Sequence, residues 1–325
     1  MTSIAPPNAV MRTIASDCAR LGHTFYVIGD TKSPADFKLD GCTFAGIEDQ
    51  LTSGFATAQL CPTRSYARKN IGYLMAIRNG AKMIAETDDD NTPTDAFYQP
   101  LPLEAEIPEF AETGWINVYR CFDDRLIWPR GFPLDAASLP VPEPRPARRL
   151  RLPIQQGLAD ENPDVDAIYR LLLPLPFSFS RGNPVALAKG AWCPFNSQNT
   201  IFYEEAFPLL YLPAHCSFRM TDIWRSLIAQ RVAWECGWSI LFREATVTQD
   251  RNDHDLMRDF ADEVVGYQNN RAIAARLEAL ELEPGEDPIG ANMQRCYAAL
   301  IEDGHVGSEE MPLLQAWLSD LAGAR

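Results

Sequence analysis

Apolar positions along the chain switch between helical and strand-like spacing, and glycine or aspartate closes most of the resulting segments. "AVMRTIASDCARLG" (9–22) carries apolar residues three and four apart and ends at Gly22, which predicts a helix with a glycine C-cap. "HTFYVIGD" (23–30) follows as a short β-rich run ending in glycine and aspartate. "SYARKNIGYLMAIRNG" (65–80) predicts a second helix, with Ser65 as N-cap and Gly80 as terminator, and "AKMIAET" (81–87) predicts the next strand. Strand–helix–strand alternation predicts an α/β fold with a mostly parallel central sheet, whose sites lie at the carboxyl ends of strands. "TSIAPPNAV" (2–10) reads as the end of a first strand, cut short, and the turn into the first helix.

Fourteen prolines between Pro93 and Pro176 exclude long helices from the middle of the chain and predict loops wrapped on a scaffold, with "VPEPRPARR" (141–149) a mobile one. Beyond them, "TDIWRSLIAQRVAWECGW" (221–238) predicts a buried helix and "SILFREATV" (239–247) a strand. From about Tyr267 the periodicity is helical. A catalytic domain over 1–265, with a donor half to about 100 and an acceptor half beyond it, would then carry a helical appendage over 266–325.

Composition narrows the functional classes. Twenty-nine basic against 44 acidic side chains leave a net charge of −15, which argues against adhesion to nucleic acid or anionic membrane. Apolar runs such as "YRLLLPLPF" are too short and proline-broken to form a membrane helix, and the N-terminus lacks the apolar core of a secretory signal. Eight scattered cysteines, never as CxxC, read as free thiols of a cytoplasmic protein.

The stretch "ETDDDN" is the first candidate site. Three adjacent carboxylates at a strand end repel one another unless a cation or water relieves them. Mg²⁺ or Mn²⁺ takes oxygen ligands, commonly one or two carboxylates plus substrate phosphates. Strand alternation would put Asp88 and Asp90 on one side and Asp89 on the other. A solvated acidic turn is the plain alternative. In "RSYARKN", Arg64 and Arg68 stand four apart, with Lys69 beside them, and would offer an anion a helix N-terminus; surface charge is the alternative. Asp30 is a candidate for base or ribose hydroxyls, or a turn residue. Asp222 is a candidate catalytic base, or an N-terminal helix carboxylate. Only four histidines are present, and no GxSxG, Walker A or GxGxxG occurs, so three-His metal, serine-hydrolase, P-loop and dinucleotide chemistry lack their residues.

Several blocks together resemble the STELLO-like glycosyltransferase family: "VIGDTKSPADF", "YARKNIGYLMAIRNGAKMIAETDDDN", "QQGLADENPDVDAIYRL", "NSQNTIFYEEAFPLLYLP", "FRMTDIWRSLIAQR" and "QDRNDHDLMRDF". More distantly they resemble the UDP-arabinopyranose mutases, also called reversibly glycosylated polypeptides. The resemblance implies a GT-A-type, Rossmann-like nucleotide-sugar-binding domain that uses Mn²⁺ or Mg²⁺ through a DxD motif. The partners it implies are a nucleoside-diphosphate sugar, UDP-linked by preference, and a glycan or small-molecule acceptor, with oligomerisation open. Carried over residue by residue, it assigns Asp88, Asp90 and His254 to the metal. It assigns Asp30, Lys32, Arg64, Arg68, Lys69, Asn70, Asp88 and Asp89 to the donor, and Asp222 and Asp166 to catalysis, with Asp164 near the sugar. "PRGFPL" (129–134) is similar to a PRGYPF-like stretch of the mutases, but the "DAASLP" that follows lacks the arginine that becomes glycosylated in them. Their late histidine falls near Gln249, with His254 as substitute. A nucleotide-sugar mutase and a catalytically idle scaffold of the same fold are the competing readings.

Overall fold

The computed structural model describes residues 1–180, 182–251 and 255–324. Near the N-terminus, β1 (Phe25–Ile28) pairs in parallel with β2 (Cys42–Ala45), and Thr2 adds a parallel bridge to Ile28. Helix Ala9–Leu21 covers them, burying Met11, Ile14, Ala15 and Cys18 against Phe25 and Val27. Asn8 caps this helix by accepting from the Met11 amide at 2.9 Å, and Gly22 ends it in the left-handed region at φ 72°.

The large sheet corrects the expectation of mostly parallel pairing. Its strands run in the order β3 (Met83–Thr87), β11 (Asn199–Tyr203), β8 (Ile154–Asp160), β12 (Ile240–Gln249), β9 (Val185–Leu187), β5 (Glu104–Phe110), β7 (Arg145–Arg151). β4 (Asn91–Pro93) pairs with the far half of β12, and β6 (Gly114–Trp115) and β10 (Ala191–Trp192) form a separate parallel pair. Within the large sheet, β8/β12 and β5/β9 are parallel and the remaining described pairs are antiparallel. β3 is followed by a tight turn and not by a crossover helix, and a parallel neighbour needs a crossover. Because β11 is antiparallel to both β3 and β8, the strands β3, β8 and β12 nevertheless point the same way. Their carboxyl ends therefore share one edge of the sheet.

The proline-rich middle is a second correction, since it supplies β5, β7 and β8. Pro108 sits where the β5/β7 register shifts between Ile107 and Glu109. Pro146 lies in β7, the last strand of the sheet, so its missing N–H interrupts no inner ladder. The segment read as a mobile loop is thus an edge strand from Arg145 onward.

Helix Thr221–Glu235 is buried from Thr221 to Trp234, as the sequence predicts, and it takes Asp222, Arg225, Gln230 and Arg231 into the interior with it. Arg225 within it pairs with Glu86 of β3 at 3.0 Å, and both side chains are buried. Glu86 also accepts the Tyr73 hydroxyl, and burial pushes its carboxyl up despite the guanidinium. The division expected between residues 265 and 266 falls inside the helix Leu256–Glu278. Helices Ile289–Glu302 and Glu310–Ala324 bury Met293, Leu300, Leu314 and Trp317 in the same core as the large sheet. All eight cysteines are free, and among the described residues no helix is long and apolar enough to cross a membrane.

Replacing Arg225 by Met strands a buried carboxylate and should cost about 3–5 kcal/mol in urea unfolding. Adding Glu86→Gln should recover a substantial part, because no buried charge is then left alone. A single-variant loss below about 1 kcal/mol would show that this pair does not join β3 to the central helix.

Candidate active site

The shared edge of β3, β8 and β12 opens into a cavity of about 530 Å³. Its lining brings together residues far apart in sequence, including Asp30, Lys32, Arg64, Tyr66, Asp88, Asp89, Asp90, Arg130, Asp164, Phe218, Asp222 and Gln249. The cavity lies at the strand ends where the sequence places its candidate site.

The three aspartates lie in the turn between β3 and β4, so strand alternation does not govern them and all three line the cavity. Asp88 accepts from the Tyr66 hydroxyl at 2.8 Å and from Lys69 Nζ at 2.9 Å. Asp89 accepts from Ser3 Oγ, and its carbonyl accepts from Asn8 Nδ2 at 2.7 Å. Asp90 accepts from Gln249 Nε2 at 3.2 Å, an encounter created by the pairing of β4 with β12. Gln249 is where the mutases' histidine was expected to fall. Among the described residues no group of three or more His, Cys, Asp or Glu forms a metal cluster. Two hard carboxylates with open coordination for phosphate oxygens would suit Mg²⁺ or Mn²⁺, which bind that way without an all-protein cage. His254 lies outside the described residues.

The basic block divides. Arg64 is exposed at the cavity, with a left-handed backbone at φ 57°, and Lys32 is exposed on the same lining. Neither makes a hydrogen bond or ion pair among the described residues. Arg68 turns inward: its Nε donates to Gln50 at 2.6 Å and Nη1 to the Cys61 carbonyl at 2.8 Å. Its side chain is buried without a carboxylate partner. Lys69 is buried and spends its three donors on Tyr66, Asp88 and the Ser197 carbonyl, so it positions Asp88 from behind. Asn70 is a staple outside the cavity, exchanging both amide bonds with the Leu212 backbone. Helical spacing predicted a shared face for Arg64 and Arg68. The chain instead enters through a 3₁₀ turn, Tyr66–Arg68, capped by Ser65. Asp30 accepts from the Thr31 and Ser65 amides at 2.6 and 3.1 Å, which fixes the loop carrying Arg64.

The wall joined to these groups through Ser197, which donates to Tyr66 and to Asp222, is built on Arg130, from "PRGFPL". Its Nε and Nη2 donate to Asp164 at 2.8 and 3.0 Å, and its Nη1 and Nη2 donate to Asp222 at 3.0 and 2.9 Å. Gly131 makes the approach possible, with φ 83° and a position where a Cβ would overlap Ile223. Burial pushes the Asp222 carboxyl up, but Arg130 and then Arg225 pull it harder, so the net position is below the ordinary carboxylate range. Both Asp222 oxygens are engaged, which makes it a poor proton acceptor. Asp166 lies outside the cavity: it caps helix Ala167–Leu172, accepting from the Tyr169 amide at 2.8 Å and from Trp128 Nε1 at 2.7 Å. Burial pushes its carboxyl up to about 6. Of the two aspartates in "PDVDA", Asp164 is therefore the one at the site. Arg130, Tyr66, Phe218 and Arg219 are cavity residues that the sequence does not single out; all four lie inside its motif blocks but have no catalytic residue pattern of their own.

A mixed α/β fold with a carboxylate-rich cavity at strand ends is consistent with a glycosyltransferase-like protein. Residues 219–324 match the family described as STELLO glycosyltransferases. The chain is 28% identical over 321 residues to probable glycosyltransferase STELLO1, and 31% over 330 residues to probable glycosyltransferase STELLO2, both of Arabidopsis thaliana. Each similarity covers 92% of this chain but 41% of the relative, so the chain spans less than half the length of these relatives. The similarity to STELLO glycosyltransferases read from the motifs is thus found again over 92% of this chain.

Asp222 contributes stability above the ordinary carboxylate pKa, and that contribution is lost as pH falls toward its depressed folded value. Arg130→Met should therefore be far less stable than wild type at pH 7. The gap in urea midpoint should narrow between about pH 5 and pH 3 as the stranded Asp222 protonates. A gap independent of pH would contradict the assignment.

Proposed function

We propose that the chain is a glycosyltransferase catalytic unit that takes a nucleoside-diphosphate sugar, UDP-linked by preference, and passes the sugar to a hydroxyl acceptor. The observation that carries this reading is the lining of one cavity by three aspartates together with the unpaired cations Arg64 and Lys32. A diphosphate needs that combination: positive charge for its oxygens and hard carboxylates for a bridging cation. Asp88 and Asp90 would hold Mn²⁺ or Mg²⁺, which when bound neutralises charge on the diphosphate leaving group. The remaining work falls to the protein. Lys69 and Tyr66 hold Asp88 in place, Ser3 holds Asp89, and Gln249 holds Asp90. Arg64 and Lys32 are free to meet phosphate oxygens, where charge builds as the glycosidic bond breaks. Asp222 serves here to fix Arg130, which closes the adjoining wall as a rigid polar surface. The absent arginine after "PRGFPL" disfavours self-glycosylation, and the assembled cavity disfavours a purely structural role.

Calorimetry with UDP should show binding at least about tenfold tighter with Mn²⁺ than without it. Asp90→Ala should erase that difference, and Arg64→Ala should weaken UDP binding whether or not metal is present. Equal UDP affinity with and without metal in the wild type would remove the metal from the mechanism.

A further inference from the structure

Of the chain's 16 phenylalanines, 10 tyrosines and 7 tryptophans, Phe218 is the one whose side chain is exposed, at 61%. Lone exposed apolar residues are ordinary on a protein surface. Phe218 differs because it lines the polar cavity, together with Ile4, which is 53% exposed. The backbone that presents it is pinned on both flanks. Ser217 Oγ donates to the Asp262 carbonyl at 2.7 Å, and Arg219 pairs with the buried Glu263 at 2.7 Å. The Arg219 carbonyl in turn accepts from Arg130. Inside the cavity the Phe218 ring meets Tyr66 edge-on, with centroids 6.3 Å apart and planes at 78°. Tyr66 is itself fixed by Asp88, Lys69 and Ser197. The backbone under the ring is thus fixed, and the ring leaves its surface open to whatever enters.

The neighbouring charges say what should enter. Arg130 is matched by Asp164 and Asp222, and Arg219 by Glu263, so this wall asks for no anion. It offers an aromatic face beside fixed polar groups. A pyranose has the complementary surface: its axial C–H bonds form an apolar, weakly positive face that lies on an aromatic ring, while its hydroxyls point outward to polar partners. We propose that Phe218 is the stacking platform for the acceptor, and that the acceptor is therefore a pyranoside or glycan end and not a protein hydroxyl or lipid alcohol. This rests on the glycosyl-transfer reading of the cavity. A nucleobase would also stack, and that alternative is an outcome of the test.

Saturation-transfer NMR with methyl β-glucopyranoside, methyl β-galactopyranoside and methyl β-xylopyranoside, in the presence of UDP and Mg²⁺, reads the contact directly. In the wild type, the ring protons of one face of at least one pyranoside should receive saturation. Phe218→Ala should weaken that pyranoside about tenfold and Phe218→Trp should keep it, with calorimetric UDP affinity unchanged in both. Because the side chain is mostly exposed, neither variant should lower the melting temperature. Pyranoside contact absent from the wild type, or unchanged in Phe218→Ala, overturns the platform while leaving the donor reading intact. Loss of UDP affinity in Phe218→Ala assigns the ring to the base and also overturns it. Failure of the wild type to bind UDP overturns the donor reading itself.

Discussion

The guanidinium of Arg130, shared between Asp164 and Asp222, is the constraint on which the cavity depends. One planar cation with five donors is the group that can satisfy two buried carboxylates at once. The three residues come from the proline-rich middle, the loop after β8 and the first turn of the central helix. None of these segments would hold its place alone. Two aspartates brought together without the arginine would repel, and the arginine without them would be a buried, unpaired charge. Each element of this wall is therefore positioned by the other two.

The other wall is organised differently. Its carboxylates are held by the Lys69 ammonium, by hydroxyls and by the Gln249 amide, and among the described residues its exposed cations Arg64 and Lys32 make no hydrogen bond or ion pair. Paired charges make a surface rigid and electrically quiet, whereas unpaired ones leave free energy to be gained when a ligand arrives. The cavity thus joins a settled wall to a receptive one, with Ser197 donating to Asp222 on one side and to Tyr66 on the other. Phe218 lies in the 3₁₀ turn Phe218–Met220 just before the helix that carries Asp222, and its ring meets Tyr66 edge-on on the receptive side.

Local signals were legible where local physics decides. The helix at 9–21, capped by Asn8 and Gly22, follows from spacing and capping alone. The strand ending in "ETDDDN" and the buried helix from Thr221 were also readable, as was the location of the site at strand ends. Prolines misled, because they exclude inner strands but are compatible with edges and register shifts, and neither condition is visible before the sheet is assembled. The parallel sheet misled for a related reason. Strand direction relative to a neighbour depends on which strands become neighbours, and β3 finds β11, more than a hundred residues later.

The sequence by itself determined the inventory: a run of three aspartates, a basic helix entry, an acidic whole and motifs similar to STELLO glycosyltransferases. Only the tertiary structure decided which of these face the cavity. Arg64 and Arg68, four residues apart, both line it, but a left-handed residue and a 3₁₀ turn leave Arg64 exposed and Arg68 buried in hydrogen bonds to Gln50 and Cys61. Asp164 and Asp222 become partners through Arg130, and Asp166 becomes a helix cap. Residue type sets what a side chain can do, but a charge or a ring acquires its role from the neighbours that bury, pair or leave it open, and those neighbours come from distant parts of the chain.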